Sequence, residues 1–352
     1  MAVGLALVGA GWIAGWVLFA RAPWLRTIAI AEPNVAVDVV IPARNEHARL
    51  PTLLGALSRQ SYLAQRVIVV DGGSSDGTVE LAHSARAVVV APGPAPAGDS
   101  ATGWARRQGA AAAGGEVLVF LDPGTEPAPE FLRRAVTEHL RLGGLLSIQP
   151  YRRMRRLRDR LVAFVDLVTA MAVGGMDATR TGGRVTGAFA ACMVCHRADY
   201  VAVTGNVELR SIPGYPALAR RFAGAGRAVH ARLGRGAIEL HPHGAAGPGR
   251  IDERAGNLRA GLRSTPVPRM LGIALWAVGL LAAAVELALA LAPDGRVLGA
   301  VLYALCVGQV VVFLRRVGNY GWPTALLYPV PLLACAGALL WSLVRRGTTR
   351  TR

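Results

Sequence analysis

Three valine-rich runs, each ending in a polar cluster, constrain this chain more than any other feature. They are Val35–Ile41 running into Pro42-Ala-Arg-Asn-Glu46, Val67–Val70 into Asp71-Gly-Gly-Ser-Ser-Asp-Gly77, and Val117–Leu121 into Asp122-Pro-Gly-Thr125. Short β-branched runs of this kind read as strands buried on both faces, the pattern of a parallel sheet. In an open α/β sheet the ligand sits beyond the carboxyl ends of the strands. The polar residues gather at those ends here, so the chain is expected to hold a small, polar, phosphorylated ligand.

Helical stretches alternate with the runs: Pro51–Gln60, Gly77–Ala85, Trp104–Ala113 and Pro129–Leu142, with further strands at Val88–Val90 and Leu145–Gln149. The order is β-α-β-α-β, half of a doubly wound α/β sheet. At 352 residues there is room for such a domain and for other material.

The other material reads as membrane. Ala2–Ala20 is nearly all apolar, and Met270–Ala292, Val297–Leu314 and Ala325–Val344 approach the roughly 20 residues that a bilayer span requires. A hydrophobic content of 53% and a mean hydropathy of +0.37 fit a soluble domain carrying several spans. Arg21, Trp24 and Arg26 follow the first segment like a cytoplasmic anchor, and no basic stretch precedes it, which argues against a cleaved signal peptide. Four spans with an outside amino terminus put the carboxyl terminus outside, yet Arg345–Arg352 is basic and prefers the inside. The last segment follows Pro323 and contains Pro329 and Pro331, which suits a broken or re-entrant helix. The expected division is an anchor over 1–26, a nucleotide-sugar half over 33–150, an acceptor half over 151–264 and a membrane region over 268–345.

The net charge is +17 and the chain contains no lysine. Binding to a nucleic acid polymer would need a basic face interleaved with stacking aromatics. The densest basic run, Arg152-Arg-Met-Arg-Arg-Leu-Arg158, has none. It leads into Leu157, Leu161, Phe164, Val165, Val168, Met171 and Ala172 at helical spacing, so it reads either as a basic amphipathic helix for anionic headgroups or as a solvated face packed on the domain. Cys192-Met-Val-Cys-His196 matches the letters of haem attachment, but its apolar setting reads as a buried strand followed by a turn.

Taken together, Pro-Ala-Arg-Asn-Glu46, Val-Asp-Gly-Gly-Ser-Ser-Asp-Gly-Thr78 and Phe-Leu-Asp-Pro-Gly-Thr125 resemble the family-2 glycosyltransferases. Within that family the chain resembles the membrane-bound branch that includes the 4,4'-diaponeurosporenoate glycosyltransferases of carotenoid pathways. Trp104–Gly109, Leu146–Tyr151, Gly187–Tyr200 and Asn257 with Gly261 extend the likeness. It implies a nucleotide-diphospho-sugar transferase (GT-A-like) domain, a UDP-sugar donor, a lipid or carotenoid acceptor, and transfer of a hexose with inversion at a cell membrane. The donor site would comprise Pro42, Asn45, Glu46, Asp71 and Ser74, with Arg106 against phosphate and Asp122 on Mg²⁺ or Mn²⁺.

The chain departs from the family pattern at acidic positions. Asp122-Pro123-Gly124 replaces Asp-x-Asp, leaving Glu126 as a substitute nearby, and Gly214-Tyr215 stands where Glu-Asp supplies a base toward the acceptor. A carboxylic acid acceptor is already ionised at neutral pH and needs no such base. The alternative is an inactive relative that binds lipid or a partner enzyme.

Overall fold

The computed structural model describes residues 2–26, 33–96, 100–176, 185, 187–205, 214–241, 258, 261–262, 265–290 and 297–348, with backbone alone at 2, 214–216 and 342–348. Asn257 and the basic tail beyond 348 lie outside the described residues. The chain divides into two compact units, one of helices (1–22, 153–183 and 244–352) and one α/β unit (23–152 and 184–243).

The helical unit opens the chain with α1 (Ala2–Phe19). The α/β unit then runs β1 (Val37–Ala43), α2 (Leu50–Ser58), β2 (Arg66–Asp71), α3 (Thr78–Ser84), β3 (Val88–Val90), α4 (Ala101–Ala112), β4 (Val117–Leu121), β5 (Thr125–Pro127), α5 (Phe131–Leu142), β6 (Leu145–Gln149) and β7 (Tyr151–Arg152). After α6 (Ala163–Val173), which belongs to the helical unit, come β8 (Cys192–His196), α7 (Arg197–Thr204), α8 (Gly214–Gly224), β9 (Val229–Leu233) and β10 (Ile238–Leu240).

Seven strands form one sheet in the order β3-β2-β1-β4-β8-β6-β9. The first four are parallel, β8 runs antiparallel to both neighbours, and β6 and β9 are parallel. Every residue of β4 is buried, as its unbroken apolar run requires. Between β1 and β4 the strand order reverses, which opens a crevice at their carboxyl ends. Helix α4 lies close on β1 and β2 because Gly109 has no side chain: a Cβ there would stand 2.3 Å from Val40 Cγ1 and 2.9 Å from Val70 Cγ2. A small sheet, β5-β10-β7, forms alongside. The cysteines of the haem-like motif lie buried in β8 with free thiols, as a strand reading requires.

His139 on α5 is fully buried, its ring 4.8 Å from that of His196, and neither nitrogen finds a hydrogen-bond partner among the described residues. Burial, then the nearby His196 and His230, push its pKa down from 6.5 to about 4. The unfolded chain therefore takes up a proton below pH 6.5 that the folded chain refuses until about pH 4. Stability should fall through that window by about 1.4 kcal/mol per pH unit, up to ~3 kcal/mol. His139→Phe should remove that part of the acid slope. Denaturation midpoints at pH 7 and pH 5 that move equally in both proteins would refute the assignment.

In the helical unit, α9 (Val267–Ala290) and α10 (Val297–Val317) are long and apolar enough to cross a membrane. Helix α1 packs along α9 at glycine contacts. A Cβ on Gly11 would lie 2.7 Å from Gly279 Cα, so the two backbones nearly touch. Gln309 joins three elements at its buried position: its Oε1 accepts from Trp276 Nε1 at 3.0 Å and its Nε2 donates to the Trp12 carbonyl at 2.7 Å.

The last expected span is broken. It consists of α11 (Trp322–Leu326) and α12 (Pro329–Thr348), separated at Leu327 and Tyr328. The break lies deep in the unit: Tyr328 donates to the Leu280 carbonyl at 2.8 Å, its ring stacks on Tyr303 at 4.9 Å, and Tyr303 donates to the Leu326 carbonyl. At 1.5 Å per residue, Tyr303 is about 20 Å from the carboxyl end of α10. The chain thus turns back after α10 along about two-thirds of that helix's length. Helix α12 then packs on α6 and on the short 3₁₀ segment Leu157–Val162. Helices α10 and α12 therefore end toward the same end of the helical unit.

Candidate functional site

The polar clusters after β1 and β2 are stitched to each other. Asn45 takes up a left-handed conformation (φ 54°), which turns its backbone N–H onto Ser74 Oγ at 2.9 Å. Its side-chain oxygen accepts from the Ser75 N–H at 2.9 Å. Glu46 N donates to Thr78 Oγ1 at 2.9 Å, and His47 N to Asp76 Oδ2 at 3.1 Å. Gly72 N reaches the Ala43 carbonyl at 2.8 Å. Five bonds therefore hold the two loops together at the ends of two adjacent parallel strands. Asparagine suits the first position because its short amide tolerates left-handed backbone.

Within this double loop, Asp71 is buried and accepts from the N–H groups of Gly73 (3.1 Å) and Ser74 (3.0 Å) and from the Ser74 hydroxyl. The Glu46 carboxylate is paired with Arg49. Pro42 stands on β1 opposite Val70, half-buried, one residue before the strand ends. Asp76 serves the loop junction, since its carboxylate holds both Thr78 and His47. The Thr78 hydroxyl, aided by the backbone bonds, keeps its pKa below the usual carboxylate range. The cap of α3 falls on Gly77 without a side-chain bond of its own, and Asp76 accepts from the Thr78 N–H at 3.2 Å at the start of the helix.

A second cluster lies at the end of β4. Arg106 on α4 is buried, and its Nη2 donates to Asp122 Oδ1 at 3.1 Å and to the Ala190 carbonyl at 2.9 Å. Its guanidinium also lies 6.0 Å from the centroid of the Phe120 ring. The Asp122 side chain keeps 33% of its surface exposed while Arg106 holds its Oδ1. Arg106 thus orients the carboxylate and supplies positive charge beside it. Its neighbour Arg107 stacks on Trp104 at 4.9 Å instead.

Glu126, the expected substitute ligand, does not join Asp122. It lies on β5, where its carboxylate meets His241 Nε2 at 2.8 Å, with Glu239 3.9 Å from the same nitrogen. Glu126 and Glu239 also line a cavity of about 310 Å³ with Arg59 and Pro129. The pairing of β5 with β10 creates this arrangement, and the sequence carries no local signal for it. Among the described residues no three His, Cys, Asp or Glu side chains converge on one point as a metal cage. Divalent cations at nucleotide sites are commonly held by one or two carboxylates together with phosphate oxygens, and Asp122 fits that smaller role.

A model of the glycosyl transferase family 2 matches residues 38–163, from β1 to the start of α6. Over 267 residues the chain is 30% identical to the 4,4'-diaponeurosporenoate glycosyltransferase of Staphylococcus haemolyticus, covering 74% of this chain and 71% of that protein. The chain belongs to the family-2 glycosyltransferases. A similar protein from Staphylococcus aureus strain MRSA252 is 27% identical over 323 residues, spanning 87% of this chain and 83% of its own length. Among solved structures, a mannosyltransferase of Pyrobaculum calidifontis, in complex with GDP-Man and Mn²⁺, superposes with a TM-score of 0.53 at 17% identity, over 97% of this chain and 98% of that one. The fold of this family-2 member is accordingly GT-A-like.

Proposed function

We propose that the chain transfers a hexose, with inversion, from a UDP-sugar to a lipid or carotenoid acceptor at the cell membrane, its α/β unit facing the cytoplasm. The observation that carries this reading is the pairing of two features on neighbouring strand ends. One is the stitched double loop after β1 and β2; the other is the Arg106-held carboxylate after β4. The first offers a rigid polar rim for a nucleoside, and the second offers opposite charges for a diphosphate and its counter-ion. The relatives named for transfer to diaponeurosporenoate support an apolar acceptor bearing a carboxylate. The two membrane-length helices support an acceptor drawn from lipid.

The roles follow from the chemistry. Asn45, Glu46, Asp71 and Ser74, with Pro42 at the strand end, would shape the nucleoside side of the cleft, Asp71 chiefly by fixing the loop through its own backbone bonds. Asp122 would hold Mg²⁺ or Mn²⁺, which neutralises the diphosphate as it leaves. Arg106 would keep Asp122 aimed outward. An ionised acceptor carboxylate attacks without a base, which suits Gly214-Tyr215 at the start of α8.

The test is UDP release by the full chain in detergent, measured across UDP-sugars with long-chain carboxylic acids and the matching alcohols. Turnover with acids, and rates at least about 10²-fold lower with alcohols, is expected. Equal rates on both would sink the carboxylate acceptor. A second reading rests on the same ion pair, since Arg106 already satisfies part of Asp122. The chain would then bind a sugar nucleotide without turning it over, and the assay would show donor binding but no UDP.

A further inference from the structure

One end of the helical unit is strongly basic, and its polar contacts show how that end is assembled. Arg316, in the last turn of α10, donates to the Phe19 carbonyl at the end of α1. Just beyond, Asn319 bonds both backbone groups of Met154: its Oδ1 accepts the N–H, and its Nδ2 donates to the carbonyl at 3.4 Å. The Arg21 N–H reaches the Met176 carbonyl at 3.0 Å. The arginine-rich stretch after β7 is therefore fastened to the level where α1 and α10 end. The opposite end carries Glu286, whose carboxylate occupies the space that a Cβ on Gly4 would need.

At the basic end, the side chains divide by chemistry in an unusual way for a water-facing surface. Arg155, Arg156 and Arg158 are exposed. So are apolar side chains on the same short segment: Leu157 at 76% and Leu161 at 44%. Trp322, which opens the re-entrant α11, is 67% exposed. The apolar residues that follow on α6, namely Phe164, Leu167, Val168 and Met171, are buried. The expected amphipathic helix is thus split in two. Its second part is an ordinary core helix, and its first part is an exposed basic-apolar segment ahead of that core.

We propose that the Arg155–Leu161 segment, with Trp322, docks onto anionic phospholipid headgroups of the leaflet at this end. The proposal rests on the membrane reading above. Guanidinium groups bind phosphate by paired hydrogen bonds, leucines partition into the boundary between headgroups and acyl chains, and tryptophan favours that same layer. A basic end of a membrane bundle also belongs on the cytoplasmic side, where acidic lipids add attraction for each arginine. The docking would hold the start of α6 against the bilayer surface while α9 and α10 cross it.

The test uses the full chain purified in neutral detergent, with unfolding followed by intrinsic fluorescence as phosphatidylglycerol or phosphatidylcholine is added. Phosphatidylglycerol should raise the midpoint more than phosphatidylcholine, and 0.5 M salt should weaken the difference. The triple variant R155Q/R156Q/R158Q should need at least about tenfold more phosphatidylglycerol for half the effect. L157S/L161S should weaken the response with the charges intact. Equal responses to both lipids, or an unchanged triple variant, would overturn the proposal. Glycerol 3-phosphate matching phosphatidylglycerol would assign the arginines to a soluble phosphate and overturn it too. A chain inactive in sugar transfer yet responsive to phosphatidylglycerol would refute the proposed reaction alone, and a chain that stays soluble without detergent would refute the membrane reading beneath both.

Discussion

UDP release by Asp122→Asn is expected to fall about 10²–10³-fold below that of the parent chain, the usual cost of removing one preorganised electrostatic group from a site of charge development. The substitution is nearly isosteric. The amide oxygen can still accept from Arg106, so the loop after β4 and the fold should survive, and thermal midpoints should match the parent. What is lost is the negative charge that would hold Mg²⁺ or Mn²⁺ against the donor. Dependence on added Mn²⁺ should therefore shift to higher concentration in the variant, with UDP affinity in the absence of metal little changed. Arg106→Lys is the companion: a lysine keeps the charge but lacks the planar guanidinium that fixes Nη2 between Asp122 and the Ala190 carbonyl beside the Phe120 ring. It should give an intermediate loss. Full activity of Asp122→Asn would break the metal assignment and leave Arg106 as the candidate partner of the diphosphate.

The largest effect on stability is expected at Glu138. It sits on α5, fully buried, and accepts from Arg141 Nη2 and Nε at 3.0 Å and from Arg232 Nε at 2.8 Å. Arg232 belongs to β9, the strand at the far edge of the main sheet, so this carboxylate ties an edge strand to a core helix. Burial alone would raise the pKa of Glu138. The hydrogen bonds and charges of the two arginines outweigh it and hold the group below 4.5. Glu138→Ala should cost about 3 kcal/mol, the lower range for breaking a buried pair, because Arg141 is 43% exposed and can turn to water while Arg232 cannot. For a domain of this size that is a fall of roughly 6–12 °C in Tm. The sign with pH is definite. The contribution is complete above the unfolded value and disappears as pH drops through the lower folded value, so parent and variant should converge in acid. Equal midpoints at pH 7 would show that solvent screens the pair.

The strands and the double-loop rim could be read from the chain because their causes are local. An unbroken run such as Val117–Leu121 has to be buried on both faces, and Asp-Gly-Gly-Ser-Ser-Asp-Gly77 has to turn. The order β3-β2-β1-β4 then follows from right-handed crossovers. What the sequence concealed depends on pairing between distant segments. Nothing near Glu126 announces that β10 will bring His241 to its carboxylate, and nothing near Arg106 announces that it will face Asp122. Helix α6 shows a different difficulty. Its apolar period is genuine, but the period is the same for a lipid-facing stripe and a protein-facing one. Only the buried Phe164 and Met171, against the exposed Leu157, separate the two. The prolines near Pro329 marked the break in the last apolar stretch, while the return of the chain along α10 needed Tyr303 and Leu280 as landmarks.

The five bonds between the loops after β1 and β2 have a consequence for how tightly a ligand could be held. Ordering a loop on binding typically costs about 0.5–1.5 kcal/mol for each side chain immobilised. Here Asn45, Ser74, Asp76 and Thr78 have already given up that freedom to one another. A nucleoside reaching this rim would meet a surface whose conformational entropy was lost during folding. More of each contact would then remain as affinity, and cutting one stitch would weaken binding at groups the ligand never touches.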